Sequence, residues 1–142
     1  VEPSVVVERF IESDADGGLD DYKVFVMNGK AVLTLVCTGR TANAHYEDYY
    51  DMDWNLIEGC DMGEERSDKA VPKPACYDEM IAAAERLAAP FNHARVDFYI
   101  VKGKLIFGEI TFTSGSGFDR FHPYEFDLGL GGKLKLPCDE VA

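Results

Sequence analysis

The stretch that decides the fold is Arg95-Val96-Asp97-Phe98-Tyr99-Ile100-Val101, then Lys102-Gly103-Lys104, then Leu105-Ile106-Phe107-Gly108-Glu109-Ile110-Thr111-Phe112-Thr113. Two β-rich runs around a short Lys-Gly-Lys segment predict a hairpin. The even positions Val96, Phe98, Ile100, Ile106, Ile110 and Phe112 are apolar. The odd positions include Arg95, Asp97, Glu109 and Thr111. Strand side chains alternate between faces, so each set shares a face within its own strand. The connection decides whether the two strands agree. A two-residue turn would oppose the apolar sets, whereas a three-residue loop unites them, and Gly103 tolerates the left-handed conformation such a loop needs. Core burial therefore favours the three-residue loop. That choice also gathers Asp97 and Glu109 beside Arg95, an oxygen-rich pair suited to Mg²⁺ and its phosphate ligands. A solvated outer face with a cross-strand Arg–Glu pair is the competing account of the same residues.

Upstream, Asp21-Tyr22-Lys23-Val24-Phe25-Val26-Met27 and Lys30-Ala31-Val32-Leu33-Thr34-Leu35-Val36 flank Asn28-Gly29. Asn-Gly between β-rich runs predicts a second hairpin, because both central residues of a type I′ turn need positive φ. A two-residue turn there pairs Lys23 with Thr34. Ser4-Val5-Val6-Val7 reads as a buried strand leading into a polar hinge, and residues 13–20 as a Gly/Asp-rich loop. From Thr38 to Pro74 the pattern dissolves into a long polar and aromatic connection. Met80, Ile81, Ala84, Leu87 and Ala88 then recur at helical spacing between Cys76 and Ala89, with Asp78 and Glu79 early, Arg86 late and Pro90 as a stop. Pro123 opens a short helix expected to end by Gly131. The whole predicts one α+β domain over residues 1–142, an antiparallel sheet built from two hairpins with one main packing helix.

Composition narrows the function. The 142 residues carry 26 acidic and 14 basic side chains, a formal charge of −12. Such a chain is a poor general binder of nucleic acid, whose phosphates must be neutralised by Lys and Arg. No apolar run approaches the ~20 residues of a membrane span, and no signal peptide is evident, so a cytoplasmic setting is expected. The chain begins with Val1 and reads as a piece of a longer one. Cys37, Cys60, Cys76 and Cys138 form no CxxC pair and read as reduced structural thiols.

Taken together, Arg95-Val-Asp97-Phe-Tyr and Gly108-Glu109-Ile-Thr111-Phe-Thr-Ser-Gly115-Ser-Gly117-Phe resemble the C-terminal metal-binding motif of ATP-grasp enzymes. More narrowly they are similar to the TupA-like branch, associated with teichuronopeptide and other cell-surface polysaccharide biosynthesis. Supporting segments are Asp21-Tyr22-Lys23 with Asn28-Gly29, Tyr50-Asp51-Met-Asp53-Trp54-Asn55, and Ser67-Asp68-Lys69 leading to Pro72-Lys73-Pro74. The resemblance runs from about Val5 to Leu136.

It implies the C-terminal lobe of an ATP-dependent carboxylate ligase, beginning at the hinge strand and completed by a separate N-terminal lobe. Glu8 would contact adenine and Asp21 the ribose. Lys23 would face the nucleotide from its strand, in the same cleft as Asp97. Arg95 would sit near the transferred phosphate. Asp97 and Glu109 would bind Mg²⁺, and Thr111 stands where most members carry a metal-binding Asn. The implied partners are ATP and a carboxylate-bearing polymer precursor, and the lobe alone would be inactive. Asp97→Asn or Glu109→Gln would abolish turnover while leaving the fold stable or slightly more so.

Other features have readings of their own. Asp51-Met52-Asp53 is a D-x-D pattern like that of metal-dependent glycosyltransferases, which makes a sugar-polymer enzyme the first alternative. A non-catalytic ATP-grasp-like module is the second. Trp54 and its tyrosines could stack on sugar rings or anchor a loop. Arg40 could reach an acidic substrate or simply face water. His45 and His122 are candidate proton carriers. Ser114-Gly115-Ser116-Gly117 could cradle an anion with its backbone N–H groups or serve as a plain linker.

Overall fold

The computed structural model of the chain describes residues 2–12, 18–39, 45–67 and 69–136. Arg40, Asp68, Cys138 and the loop residues 13–17 lie outside the described residues. The elements are β1 (Asp21–Met27), β2 (Lys30–Thr38), β3 (Tyr46–Tyr50), α1 (Tyr77–Ala88), β4 (His93–Val101), β5 (Lys104–Thr111) and α2 (Tyr124–Gly131). They form an α+β unit around one antiparallel sheet of order β3-β2-β1-β4-β5. Both predicted hairpins are present, and so is the predicted main helix.

Asn28 and Gly29 adopt φ of 50° and 76°, as a type I′ turn requires. Near the turn Val26 faces Ala31, but beyond a β-bulge Phe25 faces Leu33 and Lys23 faces Leu35. The expected pairing of Lys23 with Thr34 is therefore displaced by one residue. The bulge absorbs Val32, and core formation gives the reason. It turns Leu33, Leu35 and Cys37 to the face of Phe25 and Met27, and frees Thr34 and Val36 to join Val24 under α1.

The helix lays Tyr77, Met80, Ala84 and Ala88 on Val24, Val26, Val96 and Phe98. The Tyr77 hydroxyl reaches the buried Thr34 Oγ1 at 3.1 Å. A second core on the other face joins Phe25, Leu33, Leu35 and Tyr49 to Cys60, Phe121 and Leu130. Cys37, Cys60 and Cys76 form no disulfide among the described residues. Among the described residues no helix is long and apolar enough to cross a membrane.

Two expectations about which segments form strands fail. Residues 4–7 form no strand: Val5, Val6 and Val7 are 79–91% exposed. Their β-branched pattern suits a strand, but a strand needs a hydrogen-bonding neighbour, and none of the five sheet strands pairs with them. Conversely, Tyr46–Tyr50, expected to lie in a loop, is edge strand β3, paired with β2 from Thr34 to Thr38. Its acids concealed it. Glu47 is buried because Tyr49 donates to its Oε2 at 2.7 Å, and Asp48 because Arg66 lies 3.6 Å away.

Buried titratable groups predict alkaline lability. Burial, with Asp20 and other neighbours, pushes the Tyr22 phenol up to about 12, and burial pushes the Cys60 thiol up to about 11. Burial and the Glu47 carboxylate raise Tyr49 as well. Each raised value means that the folded state holds its proton more tightly than the unfolded chain. The stabilisation is complete below the ordinary values and is lost as pH rises through the shifted ones. The unfolding free energy from urea titrations should fall by about 3 kcal/mol for each two-unit shift between pH 9 and 12. A flat profile over that range would contradict the burial of these groups.

Candidate functional site

Because β1 and β4 are antiparallel neighbours, Lys23 lies directly opposite Asp97, with Asp21 opposite Tyr99 and Phe25 opposite Arg95. These side chains share the face away from α1. Lys23 Nζ donates to Asp21 Oδ2 at 2.5 Å and to Asp97 Oδ2 at 2.8 Å. Arg95 grips Asp97 with both arms of its guanidinium, Nε to Oδ1 and Nη2 to Oδ2, each at 2.8 Å. Asp97 is thus the common acceptor of two cations, buried to 2% exposure while Lys23 and Arg95 remain 13% exposed. Burial alone would lower the pKa of both bases. The hydrogen bonds to Asp21 and Asp97 outweigh it for Lys23, and those to Asp97 for Arg95, so both are raised and stay charged.

Glu109 joins this cluster by a route other than the expected loop. The β4–β5 connection is a two-residue turn, Lys102-Gly103, with φ of 53° and 73° and Val101 paired to Lys104. On its own that turn would set the two apolar faces against each other. A bulge corrects the parity. Phe98 pairs with Phe107, and Val96 with Ile110, so Gly108 and Glu109 together oppose Asp97. A Cβ on Gly108 would sit 3.0 Å from the Asp97 carbonyl oxygen, which explains glycine at this position. The expected pairing of Phe98 with Ile106 is replaced accordingly. Leu105 rather than Ile106 packs into the helix-side core, and Phe112 is half exposed beyond the end of β5.

Past the bulge, Arg95 faces Thr111. Its Nη2 donates to Thr111 Oγ1 at 3.2 Å and lies 3.6 Å from Glu109 Oε1, and the Thr111 hydroxyl donates to that same oxygen at 3.3 Å. Arg95 Nη1 donates to Ser114 Oγ at 3.1 Å, a partner that the sequence reading missed. Ser114–Gly117 is a tight turn with positive φ at Gly115, Ser116 and Gly117. The structure therefore brings together Asp21, Lys23, Arg95, Asp97, Glu109 and Thr111. It does not bring Glu8 to them. Glu8 is exposed on the stretch 2–12, whose residues 9–12 border a shallow cavity with Val101, Lys102 and Ile106 near the β4–β5 turn.

Of the two carboxylates that would hold Mg²⁺, Glu109 is open to a ligand whereas Asp97 is buried to 2% exposure. Asp97 accepts three hydrogen bonds of about four available lone-pair sites, and Glu109 is 67% exposed. Among the described residues no three His, Cys, Asp or Glu side chains form a complete protein cage. Mg²⁺ needs none, since it is commonly held by one or two carboxylates, waters and substrate phosphates.

The remaining candidates have structural roles. Asp51 accepts from the backbone N–H of Asp53 and of Asn55 and from Asn55 Nδ2, at 2.8–2.9 Å, so it staples its own loop. Hydrogen bonding from Asn55 holds its carboxyl below the ordinary value. Trp54 stacks on Tyr50 with ring centroids 4.4 Å apart, and its indole N–H donates to the Val71 carbonyl at 2.9 Å. That ring anchors the loop and is closed to a sugar on this side. His45 Nε2 contacts Glu47 Oε1 at 3.3 Å, and His122 pairs with Asp61 through its backbone.

Among curated proteins and among solved structures nothing matches the chain significantly. A family model described as TupA-like ATPgrasp matches residues 1–135. With that match spanning nearly the whole sequence, the chain belongs to the TupA-like ATP-grasp family.

Proposed function

We propose that this chain forms the nucleotide- and Mg²⁺-binding half of an ATP-dependent carboxylate ligase. Its place would be the cytoplasm, in the synthesis of a cell-surface polysaccharide or teichuronopeptide. The carrying observation is the contiguous cluster of Asp21, Lys23, Asp97, Arg95 and Glu109 on one sheet face.

In this reading Lys23 and Arg95 bind and orient the phosphates, and Arg95 stabilises the charge that develops on the transferred phosphoryl group. Asp97 holds both cations in place. Asp21 would take the ribose hydroxyls, and Glu8, which lies outside this cluster, would take the adenine. Asp97 and Glu109, with the Thr111 hydroxyl beside them, would hold Mg²⁺, which when bound neutralises phosphate charge. The carboxylate substrate would be a polymer precursor, and an N-terminal lobe would close over the nucleotide. The engagement of Asp51 within its own loop disfavours the D-x-D glycosyltransferase alternative.

The test is calorimetric titration of the full-length protein with Mg²⁺ and ATP, and separately with a nucleotide sugar. ATP is expected to bind, with affinity reduced at least tenfold by Lys23→Met. Unchanged ATP affinity in that variant, or a preference for the nucleotide sugar, would overturn the reading. The 142-residue chain alone is expected to show no ATP turnover.

A further inference from the structure

Each acceptor around Arg95 takes a particular nitrogen. Asp97, two residues along β4, accepts from Nε and Nη2, each at 2.8 Å. Thr111, opposite on β5, accepts from Nη2 at 3.2 Å. Ser114, past the end of β5, accepts from Nη1 at 3.1 Å. A guanidinium has five N–H groups, one on Nε and two on each Nη. Among the described residues four of these five therefore have an acceptor, and the fifth is on Nη1. Ser114 also differs in what it restrains. The bonds to Asp97 and Thr111 all fall on Nε and Nη2, and they leave the guanidinium plane free to rock about the line through those two atoms. Nη1 lies off that line, so its bond to Ser114 stops the rocking.

The chain reverses directly after Ser114 and so holds it against Arg95. Gly115 and Ser116 adopt φ of 50° and 57°, and the Phe118 N–H donates to the Gly115 carbonyl at 3.1 Å. A Cβ at Gly115 would collide with the Asp119 carboxylate, in addition to the strain of its positive φ. That carboxylate, lying against Gly115, would also repel an anion held in this turn.

We infer that Ser114 is a positioning residue for Arg95, aiming the remaining Nη1 N–H at the terminal phosphate of the nucleotide. The phosphate rests on the ATP-grasp reading, whereas the restraint on Nη1 rests on the hydrogen-bond geometry alone. A donor stabilises developing charge best when its direction is already fixed, because nothing has to reorganise as the charge appears. Asp97 supplies the countercharge that keeps Arg95 in place, and Ser114 supplies the direction of its last donor. The turn at 114–117 is then the mount of this hydroxyl, not an anion cradle or a plain linker.

The experiment is calorimetric titration of the full-length protein, in the presence of Mg²⁺, with β,γ-imido ATP and separately with ADP, which lacks the terminal phosphate. Ser114→Ala should weaken the imido analogue about fivefold, the scale of one hydrogen bond, and leave ADP unchanged. Ser114→Thr, which keeps the hydroxyl, should restore the parent affinity. In an Arg95→Lys background Ser114→Ala should add no further loss, because the residue acts through Arg95. Equal weakening of both nucleotides, an unchanged analogue, or a full additional loss in the Arg95→Lys background would each overturn the positioning role. Guanidinium NMR supplies a readout without nucleotide: the two Nη1 protons of Arg95, distinct in the parent and in Ser114→Thr, should merge in Ser114→Ala as rotation becomes free. Signals that stay distinct in Ser114→Ala would also overturn the role. A parent protein that binds neither nucleotide would instead overturn the ATP-grasp reading, while merged signals would still uphold the restraint on Nη1.

Discussion

Asp97→Ala is expected to lower the unfolding free energy by about 3–5 kcal/mol, the usual cost of removing one partner from a buried ion pair. From the sequence, Asp97→Asn or Glu109→Gln was expected to leave the fold stable or slightly more so. The geometry reverses that expectation for Asp97. Asp97 is buried and accepts hydrogen bonds from both Lys23 and Arg95, whereas Glu109 is largely exposed and touches only the outer edge of the cluster. Without Asp97, two guanidinium donors and one ammonium donor lose their acceptor in a partly desolvated place. Lys23 keeps Asp21, so the loss falls mainly on Arg95. Glu109→Gln, by contrast, should shift stability by less than about 0.5 kcal/mol, as for most exposed sites. Urea unfolding of both variants provides the measurement. Equal effects at the two positions would mean that Asp97 is not the anchor of the cluster.

Arg95→Lys should reduce the rate of the proposed phosphoryl transfer by about 10²–10³-fold, the scale seen when one preorganised donor to developing charge is removed. Charge is conserved in this substitution, so a long-range electrostatic role would survive it. Geometry is not conserved. The planar guanidinium makes a two-point contact with Asp97 through Nε and Nη2, while Nη2 also reaches Thr111 and Nη1 reaches Ser114, which lie on different segments. An ammonium cannot hold all four bonds at once. The variant should stay folded, because the introduced ammonium can still pair with Asp97, and ATP affinity should change less than the rate. A single-turnover measurement beside ATP titration would reveal that split. A rate within threefold of the parent would remove Arg95 from the reaction.

How much of this was legible beforehand is clearest at Asp97 and Glu109. Their presence on one face followed from burying the alternate apolar residues, and that conclusion holds. The device that achieves it was misassigned: an odd-length loop was expected, and a tight turn plus a bulge takes its place. Gly108 was the available signal, since an isolated glycine within a strand pattern often marks a bulge. β1 and β2 follow the same logic, where the Asn28-Gly29 turn was legible but the bulge at Val32 was not.

Elements whose information is local could be read without coordinates. Turn residues with positive φ, the 3.6-residue recurrence of Met80, Ala84 and Ala88, and the alternation along β4 all act within a few residues of one another. Which segment becomes a strand, and where each register slips, depended on contacts between distant parts of the chain. Val5-Val6-Val7 has strand-like side chains but no neighbour among the five sheet strands, whereas Tyr46–Tyr50 carries Asp48, which the distant Arg66 makes tolerable in the interior. The cluster of Lys23 with Asp97, 74 residues apart, arises in the same way. Pairing of β1 with β4 created it, and hydrogen bonds between distant strands leave no period in the sequence from which they could be read.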